Sequence, residues 1–461
     1  MVRVRRLTVV MASLAVGAGA AGGARAQMPT GLPARSAPRL TLVDALRIAA
    51  ERQPRVAGAR ALRASADAQA TAARARLFPQ IGVVADLNGT TAPSRVRRGQ
   101  DTGVPGDSTG GSTGGSASGA SLQTGFRSNF STNVTLDQAV FQPRLAAEAA
   151  AARAGARVAR ADAEQITLDV AFAVVDAYFA QLRAEQLARV QEEQLREFER
   201  SARDLAVREQ AGAGRRVDAL RAEAQRAIAA VAVREARAVA VQAAALLVAT
   251  LGTRDSAYAI DTTLAAPGAA PRSLDSLLVV AERESPILRA AAAVVDQRRA
   301  FVRAARGDLL PTVAVRLGAG YQQSDLNPRA GFTTLGLSLG WPAFTSGANQ
   351  ALVRAAEAEA RLAESEAAVE RNELRRRLAA ALARWREAER RTGAAEEGVR
   401  AAREALRIVR GAYTEGAVLL VELFQAQGDV VRAETGRVQA LVDARVAAAE
   451  LALTLGRVPA P

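Results

Sequence analysis

Hydrophobic and polar positions in this chain follow two periods, and each period occurs in two separate places. Four short segments alternate at period two. Ile81, Val83, Ala85 and Leu87 share one face, with Gln80, Gly82, Asp86 and Asn88 mostly opposite. Phe126, Phe130, Val134 and Leu136 stand against Arg127, Asn129, Asn133 and Asp137. Val313, Val315, Leu317, Ala319 and Tyr321 oppose Thr312, Arg316, Gly318, Gly320 and Gln322. Leu335, Leu337, Leu339 and Trp341 oppose Thr334, Gly336, Ser338 and Gly340. One apolar face and one polar or small face predicts half-exposed β-strands.

Elsewhere the period lengthens to that of a helix. From Pro143 to about Arg208 no further proline occurs, and Ile166, Val170, Val174 and Tyr178 step by four, the spacing of a packed helical stripe. At ~1.5 Å per residue this helix is about 100 Å long. A second one, from Gly347 to about Arg410, is equally long and free of proline. Each turns through a glycine-containing tip, Gln210–Arg216 with Gly212 and Gly214, and Gly411–Gly416. Return helices are predicted from about Val217 to Leu251 and Leu419 to Leu455, and a shorter pair, about Arg55–Arg76 and Ile287–Asp308, leads into the strands.

These elements are two copies of one unit, the sequence signature of internal duplication. Thr41-Leu42 through Pro54 returns as Ser273-Leu274 through Pro286 at an offset of about 232 residues, as does Leu77-Phe78-Pro79 in Leu309-Leu310-Pro311. Beyond the strands the offset falls to about 203, matching Leu136–Phe141 to Leu339–Phe344 and Leu251-Gly252 to Leu455-Gly456. A Gly/Ser/Thr-rich insertion in the first copy, of linker-like composition, accounts for the change. The expected organisation is a signal peptide, 1–26, a linker, 27–39, and two repeats, 40–264 and 265–461. The first holds a hairpin at about 79–140 around a loop, 89–125, a long helix, 143–208, a tip, 209–217, and a return helix, 217–251. The second holds a hairpin at about 311–342, a long helix, 347–410, a tip, 411–418, and a return helix, 419–455.

Charge and composition narrow the classes. Met1–Arg6 carries three arginines, Leu7–Ala21 is apolar, and Ala24-Arg25-Ala26 resembles a cleavage site, so export is expected rather than a permanent membrane helix. No other stretch reaches the ~20 apolar residues a spanning helix needs; the best, Ala238–Thr253, is too short. Cysteine and histidine are absent, which excludes disulfides, a thiolate or zinc site and a lipid-modified cysteine, and implies no cofactor. All 61 basic residues are arginine, but they alternate with alanine and glutamate along helices instead of forming a run, so a solvated helical surface is expected and a nucleic-acid partner is not. Gly110-Gly-Ser112-Thr-Gly114 matches a nucleophile-elbow pattern, yet without histidine it reads as low complexity, and no enzyme is expected.

An exported chain without spanning helices enters a membrane through strands. Segments of ~10 residues suit a bilayer, and Phe78, Phe126, Trp341 and Phe344 lie near their ends as an aromatic girdle does. A soluble sandwich would share the alternation, but strand edges cannot face lipid, so a membrane sheet must close. Four strands are too few, since small barrels begin at about eight. Dimer, trimer and tetramer all remain open on this count. With long helices continuing the barrel wall at Pro79, Pro143, Pro311 and Pro342, the assembly becomes a tube; a non-conducting periplasmic coiled-coil scaffold or adaptor is the alternative.

The order of these features resembles the TolC family of outer-membrane efflux proteins over nearly all of Leu40–Gly456. Carrying the resemblance are Leu42-Val43-Asp44-Ala45-Leu46 with Pro54, the junctions Leu77-Phe78-Pro79, Leu309-Leu310-Pro311 and Trp341-Pro342-Ala343-Phe344, and the tip sequences Val217-Asp218-Ala219-Leu220 and Val421-Glu422-Leu423. The resemblance implies a mainly α fold with a small β part, a helical coiled-coil barrel continuing a transmembrane β-barrel. It further implies a homotrimer of 12 strands in the Gram-negative outer membrane and its lipid, a passive tunnel for efflux or type I secretion, and docking to a periplasmic adaptor and an inner-membrane transporter. It also implies a periplasmic gate of polar links between the tips, at Asp218, Tyr413, Glu422 and Gln425. A hydrogen bond from the Tyr413 hydroxyl to Asp218 is the specific expectation for the closed state, worth roughly 1.5–3 kcal/mol if desolvated. Two departures, Val418 in place of a basic residue and Gln425 in place of an acid, leave Arg215 and Arg216 as alternative gate groups. Asp218 and Glu422 also suit a helix N-terminus on dipole grounds alone.

Overall fold

Hydrogen-bond punctuation sets out the two repeats along the chain. In the computed structural model, residues 39–95, 122–253, 258–261, 268, 271, 273–324 and 327–458 are described. The signal, most of the linker and the centre of the Gly/Ser-rich insertion lie outside them. A two-residue strand, β1 (Arg39–Leu40), precedes α1 (Leu42–Arg52) and α2 (Pro54–Ala75). Then follow β2 (Gln80–Arg95), β3 (Leu122–Phe141), α3 (Pro143–Gln210) and α4 (Arg216–Leu251). After β4 (Ala259–Ile260), the second repeat contains α5 (Leu274–Glu284), α6 (Pro286–Gly307), β5 (Thr312–Ser324), β6 (Asn327–Gly340), α7 (Ala348–Thr414) and α8 (Leu420–Thr454). The chain is thus mainly helical with a small β part.

The same local chemistry starts and stops corresponding elements. Thr41 and Ser273 cap α1 and α5, their hydroxyls accepting from the amides of Asp44 and Ser276 at 3.2 and 3.4 Å. Pro54 and Pro286 open α2 and α6, where a missing amide costs nothing. At 68 and 67 residues, α3 and α7 run about 100 Å each. Both end in Schellman caps: Ala213 donates to the Arg208 carbonyl and Ala417 to that of Ala412, each at 2.8 Å, around Gly212 and Gly416 at φ +71° and +76°. A β-carbon is disfavoured there. Gly214 does not share that conformation; it is needed for closeness, since a β-carbon on it would lie 3.1 Å from the Arg208 backbone. Gly411 proves to be helical, because Glu415 N–H still finds the Gly411 carbonyl at 3.2 Å, so α7 continues to Thr414 before the tip turns.

One four-stranded antiparallel sheet forms in the order β2-β3-β5-β6. The strands are 13 to 20 residues long, beyond the alternating segments, because backbone pairing needs no particular side chain. Pairing of β2 with β3 therefore carries on to Arg95 and Leu122, inside the stretch 89–125 expected as loop. Register places Ile81 opposite Leu136, Leu136 opposite Leu317 and Leu317 opposite Leu335, a continuous apolar row, while Asp137 faces Arg316 on the other side.

Helices leave the sheet in a single layer. Near the sheet α3 packs between α2 and α6, with α7 beyond α6; farther away it packs between α4 and α8, with α7 beyond α8. At the waist β1 pairs in parallel with β4, and the Tyr178 hydroxyl donates to the carbonyls of Leu40 (3.2 Å) and Asp261 (3.4 Å). Burial, and then the charge of Asp261, push that hydroxyl up to about 12. No described helix is long and apolar enough to cross a membrane.

Candidate functional site

Two ends of the molecule carry the sequence-predicted residues. At the sheet, exposed large apolar side chains concentrate on one face, with Val84 and Phe332 exposed on the other. Ile81, Val83, Leu87, Leu335, Leu337 and Leu339 are each at least two-thirds exposed, and Val134, Phe130 and Leu317 are on the same face. Such a band has no counterpart among ordinary soluble surfaces. Next to its helical end lie Phe78, Trp341 and Phe344, all exposed, with Trp341 Nε1 donating to the Leu309 carbonyl at 3.2 Å and the Arg74 guanidinium over the Phe78 ring at 5.9 Å. Phe141 and Leu310 are exposed beside them and were missed in sequence, though Leu310 adjoins Pro311 and Phe141 stands two residues before Pro143. The Phe126 side chain is outside the described set; register places its backbone opposite Thr91, toward the far end of the sheet.

Junction prolines do different jobs. Pro143 is the first residue of α3, one residue after β3. Pro79 and Pro311 stand just before β2 and β5. Pro342 opens no helix; Trp341–Gly347 intervenes, ending in Ser346 and Gly347 at φ +51° and +82°.

At the opposite end the two tips are brought together by apolar packing first. Ala202, Leu205, Ala222, Leu420 and Leu423 form a buried cluster, joined by Tyr413, Leu406 and Phe424. Phe198 and Phe424 meet edge to face at 5.6 Å. Arg410 on α7 donates to Glu197 on α3 at 2.9 Å, across α8. None of Phe198, Phe424, Glu197 or Arg410 stood out in sequence, since all sit at ordinary helical positions.

Asp218 is buried in the first turn of α4. Among the described residues its carboxylate accepts from Arg215 Nε at 3.1 Å, with Arg221 at 4.0 Å, and not from Tyr413. Tyr413 is half-buried close by: desolvation, then the Asp218 charge, push its hydroxyl upward, against the opposing pull of Arg208 and Arg215. Asp218 has taken the neighbour on its own turn because Arg215 reaches it without leaving the helix start. Arg216, Glu422 and Gln425 are exposed. No cluster of three or more metal-ligating acids occurs among the described residues.

Comparison with known proteins places the whole arrangement. The family model described as "Outer membrane efflux protein" matches residues 45–253 and 277–457. Among solved structures, the chain is similar to the CusC transmembrane channel (TM-score 0.75, 18% identity, 91% of this chain and 93% of that one). It is also similar to the CmeC outer membrane channel of Campylobacter jejuni (TM-score 0.74, 16% identity, covering 90% and 85%). The third is the open state of the Neisseria gonorrhoeae MtrE outer membrane channel (TM-score 0.73, 21% identity, covering 90% and 89%). Identities this low speak for the fold alone. No curated relative matches the sequence.

Proposed function

From the premise that this chain belongs to the outer membrane efflux protein family, we propose that it works as a passive duct, three copies closing into one tube across the periplasm and outer membrane. Family membership puts it in the outer membrane and gives no sign of enzymatic chemistry. The observation that carries the duct reading is a pair of open, matching edges. β2 and β6 end the sheet, and both expose backbone groups to pairing.

The helices continue those edges. On α4, Val217, Leu220, Ala224, Ala227, Val231, Ala238, Val241 and Ala245 form an exposed row at coiled-coil spacing. On α7, Ala379, Ala383, Ala394, Ala401 and Ile408 do the same. A copy whose β6 and α7 meet the β2, α2 and α4 of the next generates a head-to-tail ring, and rings of this kind close by rotation. Lipid then takes the apolar face of the sheet. Three copies, as in the family resemblance, give 12 strands. The tips, with Leu419 and Val421 exposed, dock an adaptor and through it an inner-membrane transporter that supplies the energy.

Closure at the tip in this reading combines Asp218 and Arg215 with the Arg410–Glu197 link and Tyr413. Single-channel conductance of purified trimers in planar bilayers is the test, comparing wild type with Asp218→Ala, Tyr413→Phe and Arg410→Ala. A small conductance that rises in Asp218→Ala and Arg410→Ala supports duct and gate together. Conductance untouched by any variant keeps the duct and discards the gate. Well-folded trimers that never conduct discard the duct and bring forward the coiled-coil scaffold.

A further inference from the structure

On the helical wall near the sheet, α3 and α7 flank α6 and leave a groove of about 790 Å³. Its floor and sides are apolar, with Ile287, Val294 and Leu362 among them, and its polar rim holds three carboxylates, Asp162, Glu366 and Glu370. No arginine lines it. The chain as a whole carries a formal charge of +14, and many of its described acids have an arginine partner. Neighbouring carboxylates follow the common pattern: Glu164 binds Arg289 at 2.5 Å, Glu359 binds Arg298 at 3.0 Å and Glu364 binds Arg299 at 2.7 Å. Among the described residues the three groove carboxylates have no ion-pair partner, and they do not converge closely enough to hold a metal ion. Burial alone pushes the Asp162 carboxyl upward, the sign of negative charge beside apolar surface without a compensating cation.

The groove's orientation follows from helix geometry. Tyr178 points from α3 toward the β1–β4 patch. Asp162, sixteen residues earlier, lies about 160° around the helix from it at ~100° per residue. The groove thus opens on the face of the wall away from the waist patch. In a closed ring the patch has room only outside, so the groove faces the lumen, a placement that rests on the duct reading above.

We propose that this groove binds lipophilic organic cations. Its volume suits a ligand of drug size, mostly apolar walls supply the contact area, and spread carboxylates complement a delocalised positive charge better than a compact one. An anion of the same shape meets the same walls and is repelled.

The experiment is equilibrium binding of tetraphenylphosphonium to detergent-purified, full-length protein near neutral pH, with tetraphenylborate as the anion of matching shape. Saturable binding of the cation and not of the anion is expected. The Asp162→Asn, Glu366→Gln, Glu370→Gln triple variant is expected to lose at least about tenfold in affinity. Val294→Trp, which fills the groove and keeps every carboxylate, is expected to lose binding as well. Equal affinity in wild type and triple variant overturns the proposal, as does absence of saturable binding. Binding that survives Val294→Trp overturns the groove as its location. A triple variant that falls apart into monomers overturns it too, and assigns the groove to a neighbouring copy. Conductance of the same trimers reads separately: binding without conductance removes the duct and leaves the site, and conductance without binding removes only the site.

Discussion

The two repeats share their turns and differ in what holds them to their surroundings. Thr41 and Ser273, Pro54 and Pro286, Gly212 and Gly416, and Gly252 and Gly456 perform paired backbone tasks. Yet at the waist the first repeat fastens α3 through the Tyr178 hydroxyl and the β1–β4 pair. At its counterpart, α5 rests on an all-apolar cluster of Leu374, Leu378, Ala381 and Leu382, with Glu282 near Arg371 and Arg375 at 3.9 and 4.0 Å. The junctions differ as well. A single residue, Gln142, separates β3 from α3, whereas β6 reaches α7 through Trp341–Gly347. Backbone hydrogen bonding tolerates few substitutes, so duplicated turns stay alike; packing and membrane contact admit many solutions, so they diverge.

The largest expected effect breaks the apolar fastening. Leu378 is fully buried, and Leu378→Ala should lower stability by about 3 kcal/mol, read as a lower midpoint in urea or heat. Next come the paired C-caps. Gly456 and Gly252 both have left-handed backbones, φ +83° and +71°. A β-carbon on Gly456 would sit 2.6 Å from the Glu284 carbonyl oxygen, against 3.0 Å from the Arg52 oxygen for Gly252. Gly456→Ala should therefore cost roughly 3 kcal/mol and Gly252→Ala roughly 1–2. Equal costs would mean that the backbone conformation, and not the contact, sets the penalty.

A smaller effect separates the polar fastening from the apolar one. Tyr178→Phe should cost about 1 kcal/mol at neutral pH. Because the folded hydroxyl is raised to about 12, above its unfolded value near 10, its contribution is complete below about pH 10 and is lost as pH climbs toward 12. Wild type should lose stability over that window more steeply than Tyr178→Phe, and parallel pH curves would remove Tyr178 from the account. The smallest effect is a gain. Ser346, held at φ +51° in the second junction, should tolerate glycine, and Ser346→Gly should raise stability by up to about 1 kcal/mol, readable in the same melts. No such gain is available in the first junction, where Gln142 sits at φ −139°.

By itself the sequence determined the duplication, the helix lengths, the apolar strand faces and the turn glycines Gly212 and Gly416. These follow from period, capping chemistry and backbone freedom, which act within a few residues of chain. It also marked Phe78, Trp341 and Phe344 near the junction prolines, and their side chains are exposed. What only the tertiary structure decided lies between elements distant in sequence. Asp218 meets Arg215 and not Tyr413 because the turn geometry of α4 offers the nearer donor. The tips are joined by Phe198 with Phe424 and by Arg410 with Glu197, pairs that no local pattern marks. Extra strand length, the parallel β1–β4 pair and the carboxylate-rimmed groove likewise join distant elements. The first two rest on backbone pairing, which needs no particular side chain, and the groove on which side chains are left without a partner once long helices have chosen theirs; periodicity tells which face is buried but not against what.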